Sequence, residues 1–214
     1  MRFRDRRHAG RELAERLEEY RGRSDVAVLG LPRGGVPVAY EVAKSLGAPL
    51  DVFLVRKLGV PGHAELAMGA IASGGVRVVN LAVVDRLGIT EADIDRVAEA
   101  EQRELERREV AFRSGRAPLD LRARVAMLVD DGLATGSTMK AAAVAARQHD
   151  PSAVVIAVPA APRATCAELR ADADDVVCVI TPDAFYAVGQ WYDDFDQTSD
   201  DEVVALLGQA LEGG

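Results

Sequence analysis

The chain has 214 residues, 49% of them hydrophobic and 28% charged, with 34 acidic residues against 26 basic ones and a formal net charge of -8. That length buries a core without metal or disulfide staples, and that balance lacks the basic footprint of a protein that coats nucleic acid. No apolar run approaches the roughly 18 residues of a membrane span, and the basic start "MRFRDRRHAGRELAERL" has no apolar stretch behind it as a secretory signal would. The expectation is a cytoplasmic protein with no membrane or nucleic-acid partner.

In chain order, Ala9, Leu13, Leu17 and Tyr20 recur at helical spacing and predict a first helix over 9–20. "SDVAVLGL" (24–31) predicts a strand that ends in the turn "PRGGVP", and "VAYEVAKSLG" predicts a helix closed by Gly47. "APLDVFLVRKLG" (48–59) predicts a second strand, and the glycine-spaced stretch after it holds short strands near 66–71 and 76–79. From Thr90 to Arg113 the chain predicts a charged surface helix, with Thr90 as N-cap and Asp93 three residues on.

"ARVAMLVD" (123–130) is the third main strand, followed by a turn and an alanine-rich helix to about Gln148. "SAVVIAVPAAP" (152–162), a short helix from 163, "DVVCVITP" (175–182) and a last helix from Asp201 complete the chain. Short Val/Ile/Leu-rich strands separated by helices define an α/β fold with a mostly parallel central sheet flanked by helices. One domain over 1–214 is expected: a core at 24–182, a helical insertion at 90–113, and a small hood from 1–20 and 183–214. Cys166 and Cys178 lie in apolar surroundings and read as small buried hydrophobes.

The chemistry concentrates in "VAMLVDDGLATGSTM" (125–139). A parallel strand delivers Asp130 and Asp131 to the sheet edge where α/β folds bind ligands. Small residues then leave the N–H groups of Ala134, Thr135, Gly136, Ser137 and Thr138 free to cradle an anion at a helix start. Carboxylates accept hydrogen bonds from vicinal hydroxyls or hold magnesium, so the pattern suits a sugar phosphate. It is neither G-x-x-x-x-G-K-[ST] nor G-x-G-x-x-G, and it lacks the second aspartate of a D-x-D-x-[TV] phosphatase. A plain helix-capping turn is the alternative.

Two further segments fit an anionic ligand. "LGLPRGGVPVA" places Gly34 and Gly35 beside Arg33 at the end of the first strand, and "FLVRKLGVPGHAELAMGA" supplies Arg56, Lys57 and His63. His63 reads equally well as an exposed loop residue. In the tail, Phe185, Tyr186, Trp191 and Tyr192 suit either packing or stacking on a heterocycle, with Phe185 preferred. Arg4 and Arg6 are cations available to a substrate or a partner subunit.

The motif around Asp130 resembles the phosphoribosyl pyrophosphate (PRPP) signature of type I phosphoribosyltransferases, and the head and tail resemble an uncharacterised bacterial branch of that family. The resemblance implies a Rossmann-like three-layer fold and a Mg2+-dependent transfer of the 5-phosphoribosyl group of PRPP to a nitrogenous acceptor, with release of pyrophosphate. It implies that Asp130 and Asp131 hold the ribose hydroxyls and the metal, and that residues 134–138 hold the 5-phosphate. Arg33, Gly34 and Gly35 would form the pyrophosphate loop, in some members with a cis peptide at its apex. Lys57 would be the catalytic cation together with Arg33 and would touch the pyrophosphate oxygens; Arg56 and His63 would assist, and Asp131 would serve as an acceptor-side base. A sensor of PRPP or a nucleotide on the same fold is the alternative. The 90–113 helix and the arginine-rich start are candidate homodimer surfaces.

Overall fold

The computed structural model describes residues 1–212, apart from the side chains of residues 64 and 65. Five parallel strands form the central sheet: β1 (Val26–Gly30), β2 (Leu50–Val52), β6 (Val125–Val129), β7 (Ala153–Ala160) and β8 (Asp175–Ile180), in the order β2-β1-β6-β7-β8. Every residue of β1 and β6 is buried, because both faces are covered. Val26 and Val28 of β1, with Val125, Met127 and Val129 of β6, face one core. Ala27 and Leu29, with Ala126 and Leu128, face the other. This is the period-2 alternation of a strand placed between two helical layers.

On the first face lie α1 (Arg6–Glu15), α2 (Gly35–Leu46) and α7 (Asp200–Glu212); on the second lie α5 (Ser137–Arg147) and α6 (Arg163–Leu169). The first helix starts three residues earlier than the apolar spacing predicts, because the Asp5 carboxylate accepts the His8 N–H at 2.7 Å and caps it. It also ends sooner, and a separate 3-10 turn at Glu18–Tyr20 carries Tyr20 into the core. A methyl group at Gly10 would sit 2.7 Å from the Val38 carbonyl, so glycine lets α1 and α2 approach closely. Gly47 closes α2 with φ +68°, as expected.

The predicted second strand is two strands in different sheets. β2 pairs with β1, whereas β3 (Val55–Val60) pairs antiparallel with β4 (His63–Ala72), and β4 with β5 (Val76–Val79), in a separate three-stranded sheet. The chain changes sheets at Leu54, whose N–H donates to the buried Ser73 hydroxyl at 2.9 Å while the Ser73 N–H returns to its carbonyl. A short helix without a sequence prediction, α3 (Leu81–Leu87), runs between an Asn80 cap and Gly88 at φ +62°.

The charged helix α4 (Glu91–Arg113) has the predicted Thr90/Asp93 capping box, yet it is more than a surface appendage. Ile94, Ala98, Leu105 and Phe112 enter the first core. Buried Arg113 donates from Nε to both Asp51 oxygens at 2.9 and 3.1 Å and from Nη2 to the Val52 carbonyl at 2.9 Å, fastening α4 to β2. Cys166 and Cys178 both lie in the second core, as expected, and where α6 packs on β8 they are also paired with each other as a disulfide. No described helix is long and apolar enough to cross a membrane.

Candidate active site

The strand order reverses between β1 and β6, so the turns after these two strands lie side by side at their carboxyl ends, the position where open α/β sheets hold ligands. The first turn is residues 31–35, with a cis peptide between Pro32 and Arg33. The second runs from Asp130 to Gly136 and opens α5. They touch directly: a Cβ on Gly34 would stand 2.0 Å from Asp131 Oδ2, and one on Gly35 would stand 2.6 Å from the Val129 carbonyl. Glycine is therefore required at both positions by space. The Gly35 N–H is already spent, donating to the Leu31 carbonyl at 3.0 Å as α2 begins.

The 130–136 turn is fixed from outside. The Leu133 N–H donates to the Ala160 carbonyl at 2.9 Å, and the Thr165 hydroxyl donates to the Ala134 carbonyl at 3.0 Å. Gly136, at φ +69°, has no room for a side chain, because a Cβ would meet the Thr165 methyl at 2.7 Å. Ala134, Thr135, Ser137 and Thr138 are exposed at the start of α5, where the amide ends of the first turn and the helix dipole favour an anion. Lys57 of β3 reaches across and donates to Ser137 Oγ at 2.7 Å, placing its charge on this same turn.

Asp130 accepts the Asp131 N–H at 2.8 Å. Burial raises its carboxyl well above the usual carboxylate range, and the charge of Asp131 beside it adds to the effect. Burial also raises Asp131, but Arg6 opposes the shift there. Arg6 Nε donates to Asp131 Oδ2 at 2.8 Å, with both side chains largely buried at 12% and 14% exposure.

Arg6 belongs to a hood made by the two ends of the chain. Phe3 bridges to Tyr192, Arg6 Nη1 donates to the Asp196 carbonyl at 2.6 Å, and the Arg6 guanidinium lies 3.9 Å from the centre of the Phe195 ring. Tyr192, considered from the sequence as a stacking aromatic, is instead buried, and its hydroxyl donates to the Asp131 carbonyl at 2.6 Å. Burial pushes that phenol upward. Phe185 is half-buried with its ring 6.0 Å from Trp191, whereas Tyr186 is exposed.

The structure thus brings together Gly34, Gly35, Asp130, Asp131, Ala134, Thr135, Gly136, Ser137, Thr138 and Lys57. Arg56, Arg33 and His63 are not held on these turns by any contact described. Arg56 is ion-paired with Glu101 of α4, Arg33 Nη1 lies 3.6 Å from Asp200 Oδ1 at the start of α7, and His63 is exposed where β4 begins. Arg56 therefore contributes to how α4 is seated. The clasp of Arg6, Tyr192 and Phe195 on Asp131 is what the motif reading missed. The basic head and aromatic tail are its only traces in the sequence, because nothing local ties residue 6 to residue 131.

A family model described as the phosphoribosyl transferase domain matches residues 5–196, and the chain belongs to that family. Two curated proteins from two strains of Mycobacterium tuberculosis, provisionally named phosphoribosyl transferases, are each 55% identical over 208 residues, covering 97% of this chain and 47% of the relative. The chain spans about half the length of these relatives. The crystal structure of TT1426 from Thermus thermophilus is 44% identical and superposes with a TM-score of 0.88, covering 98% of this chain and 99% of that one.

Proposed function

We propose that this chain transfers the 5-phosphoribosyl group of PRPP to a nitrogen of a base or related acceptor and releases pyrophosphate. The observation that supports this most is the contact of the two turns: an aspartate pair suited to sugar hydroxyls lies against the Gly34–Gly35 turn at one sheet edge, beside the start of α5. Asp130 and Asp131 would accept hydrogen bonds from the ribose hydroxyls, and the amides and hydroxyls of residues 134–138 would hold the 5-phosphate. Lys57, bonded to Ser137, belongs with the 5-phosphate end in this reading instead of with pyrophosphate. Gly34 and Gly35 would border the space for pyrophosphate, with Arg33 turned toward Asp200 at the start of α7, and Phe185, half-buried in the hood, would face the acceptor.

The donor set also suits magnesium. Asp130 offers a buried carboxylate with no cation bonded to it in the way Arg6 is bonded to Asp131, and hard oxygen donors are what this ion takes. Among the described residues no group of three or more His, Cys, Asp or Glu side chains gathers to cage a metal. The ion would therefore be held by Asp130 and Asp131 together with substrate oxygens, and when bound it would neutralise charge on the departing pyrophosphate. The chain's own contribution is alignment and charge placement. The turns hold C1 of the ribose in line between acceptor and leaving group, and the hood keeps water from the developing oxocarbenium ion.

The test is a screen of purines, pyrimidines and related amines for pyrophosphate release from PRPP in the presence of magnesium. Release with one class of acceptor is expected. Calorimetric binding of PRPP without release from any acceptor would instead favour the second reading, a sensor, for which the engagement of Asp131 by Arg6 is the supporting observation. The substrates are small molecules in either case. A homodimer through the outward face of α4 is part of the proposal, read by light scattering.

A further inference from the structure

A pyrophosphate leaving group carries several negative charges, and the turn that would receive it lies under two carboxylates. A side-chain cation facing Gly34 and Gly35 would add to the charge magnesium supplies, and the three the motifs assign to pyrophosphate do not face that turn. Lys57 donates to Ser137, Arg56 pairs with Glu101, and Arg33 leans outward to Asp200 at 3.6 Å. The guanidinium that does overlie the turn comes from the other end of the fold: Arg6 Nε is 3.2 Å from the position a Gly34 Cβ would occupy.

Arg6 is also held as a binding group should be. Its Nε is on Asp131, its Nη1 is on the Asp196 carbonyl, and its flat face lies 3.9 Å from the centre of the Phe195 ring. A guanidinium carries five N–H donors in a rigid fork. With one donor from each of those two nitrogens in use, it retains others for phosphoryl oxygens. We propose that Arg6 is the pyrophosphate-binding cation of this site, brought over the Gly34–Gly35 turn by the N-terminal arm and seated on Phe195. This rests on the PRPP reading above. It assigns to the hood, made from both ends of the chain, a direct part in recognising the leaving group as well as in closing the site.

The experiment is calorimetric titration at fixed magnesium with three probes, PRPP, inorganic pyrophosphate and ribose 5-phosphate, on the wild-type protein, Arg6→Gln and Arg6→Lys. Arg6→Gln should weaken PRPP and pyrophosphate by about tenfold or more, the scale of one charge-assisted hydrogen bond. Ribose 5-phosphate, which has no pyrophosphoryl group to reach the remaining Arg6 donors, should change by less than about threefold. Arg6→Lys should recover part of the loss for the two pyrophosphate ligands. A merely structural role for Arg6 would weaken all three ligands together, and that result, or unchanged PRPP affinity, overturns the proposal.

If Arg6→Gln fails to fold, Phe195→Leu decides, since it removes the ring beneath the guanidinium and leaves every charge in place. It should weaken pyrophosphate severalfold and spare ribose 5-phosphate; equal effects on the two overturn the assignment. Wild-type protein that binds PRPP with no dependence on Arg6 rejects this inference alone. Wild-type protein that binds pyrophosphate through Arg6 but not PRPP rejects the functional reading and keeps the cation, and binding of neither rejects both.

Discussion

Gly34 and Asp131 share a space that leaves no room for even a methyl group at position 34, and this is where sequence and chemistry meet most tightly. Gly34→Ala would place a Cβ within 2.0 Å of Asp131 Oδ2 and 3.2 Å of Arg6 Nε, so the carboxylate must turn away. The expected outcome is loss of PRPP affinity together with a stability cost of about 1–3 kcal/mol, the range for forcing extra atoms into a packed site. Calorimetry and urea unfolding measure the two effects, and unchanged affinity would place the sugar site elsewhere. Asp130 gives a second prediction, in pH. Its carboxyl is held above the range it has in the unfolded chain, so the folded protein binds the extra proton in that window, and unfolding free energy falls as pH rises through it. Asp130→Asn should flatten that decline. An unaltered pH dependence of stability would show that Asp130 is not a strained buried acid.

At the scale of elements, α4 is seated through a buried ion pair instead of by its apolar face alone. Asp51 accepts from Arg113 and also from the Leu119 and Val52 N–H groups, so removing the arginine strands a charge that cannot reach water. Arg113→Ala should cost about 3–5 kcal/mol by chemical unfolding, and the double replacement Arg113→Met with Asp51→Val should recover part of it. A loss below about 1 kcal/mol would mean that the pair is solvated.

The legibility of the elements follows from where their determinants lie. The strands β1 and β6, the Gly47 stop and the Thr90/Asp93 box were readable because each is set by neighbours in sequence. The break between β2 and β3 was not, since Phe53 and Leu54 are good strand formers and the partner that ends the strand, Ser73, lies far along the chain. The helix α3 was missed even though Asn80 and Gly88 bracket it with the usual cap residues; its seven residues are too few to show a helical period. The Cys166–Cys178 pair depends on how α6 lies against β8, and no local signal reports that.

At the scale of the whole molecule, the site exists because the strand order reverses between β1 and β6, which sets two separately readable motifs side by side. The anion turn, the aspartates and the PRGG turn were legible as motifs; their contact and the hood across them were not, because residues 6, 131 and 195 meet only in the folded chain. Tyr192→Phe tests the hood as a unit. It deletes the donor to the Asp131 carbonyl and leaves the packing of the ring intact, so stability should fall by about 1 kcal/mol and PRPP affinity should fall with it. Full retention of both would show that the C-terminal arm does not steady the aspartate turn.

The most direct test of the central claim, that the crevice between the β1 and β6 turns binds PRPP, is calorimetric titration of PRPP with magnesium into the wild-type protein and into Asp130→Asn/Asp131→Asn. Saturable one-site binding by the wild type is expected, weakened about a hundredfold in the variant, the scale of two lost charge-assisted hydrogen bonds. Equal affinity in the two proteins, or no binding by the wild type, would contradict it.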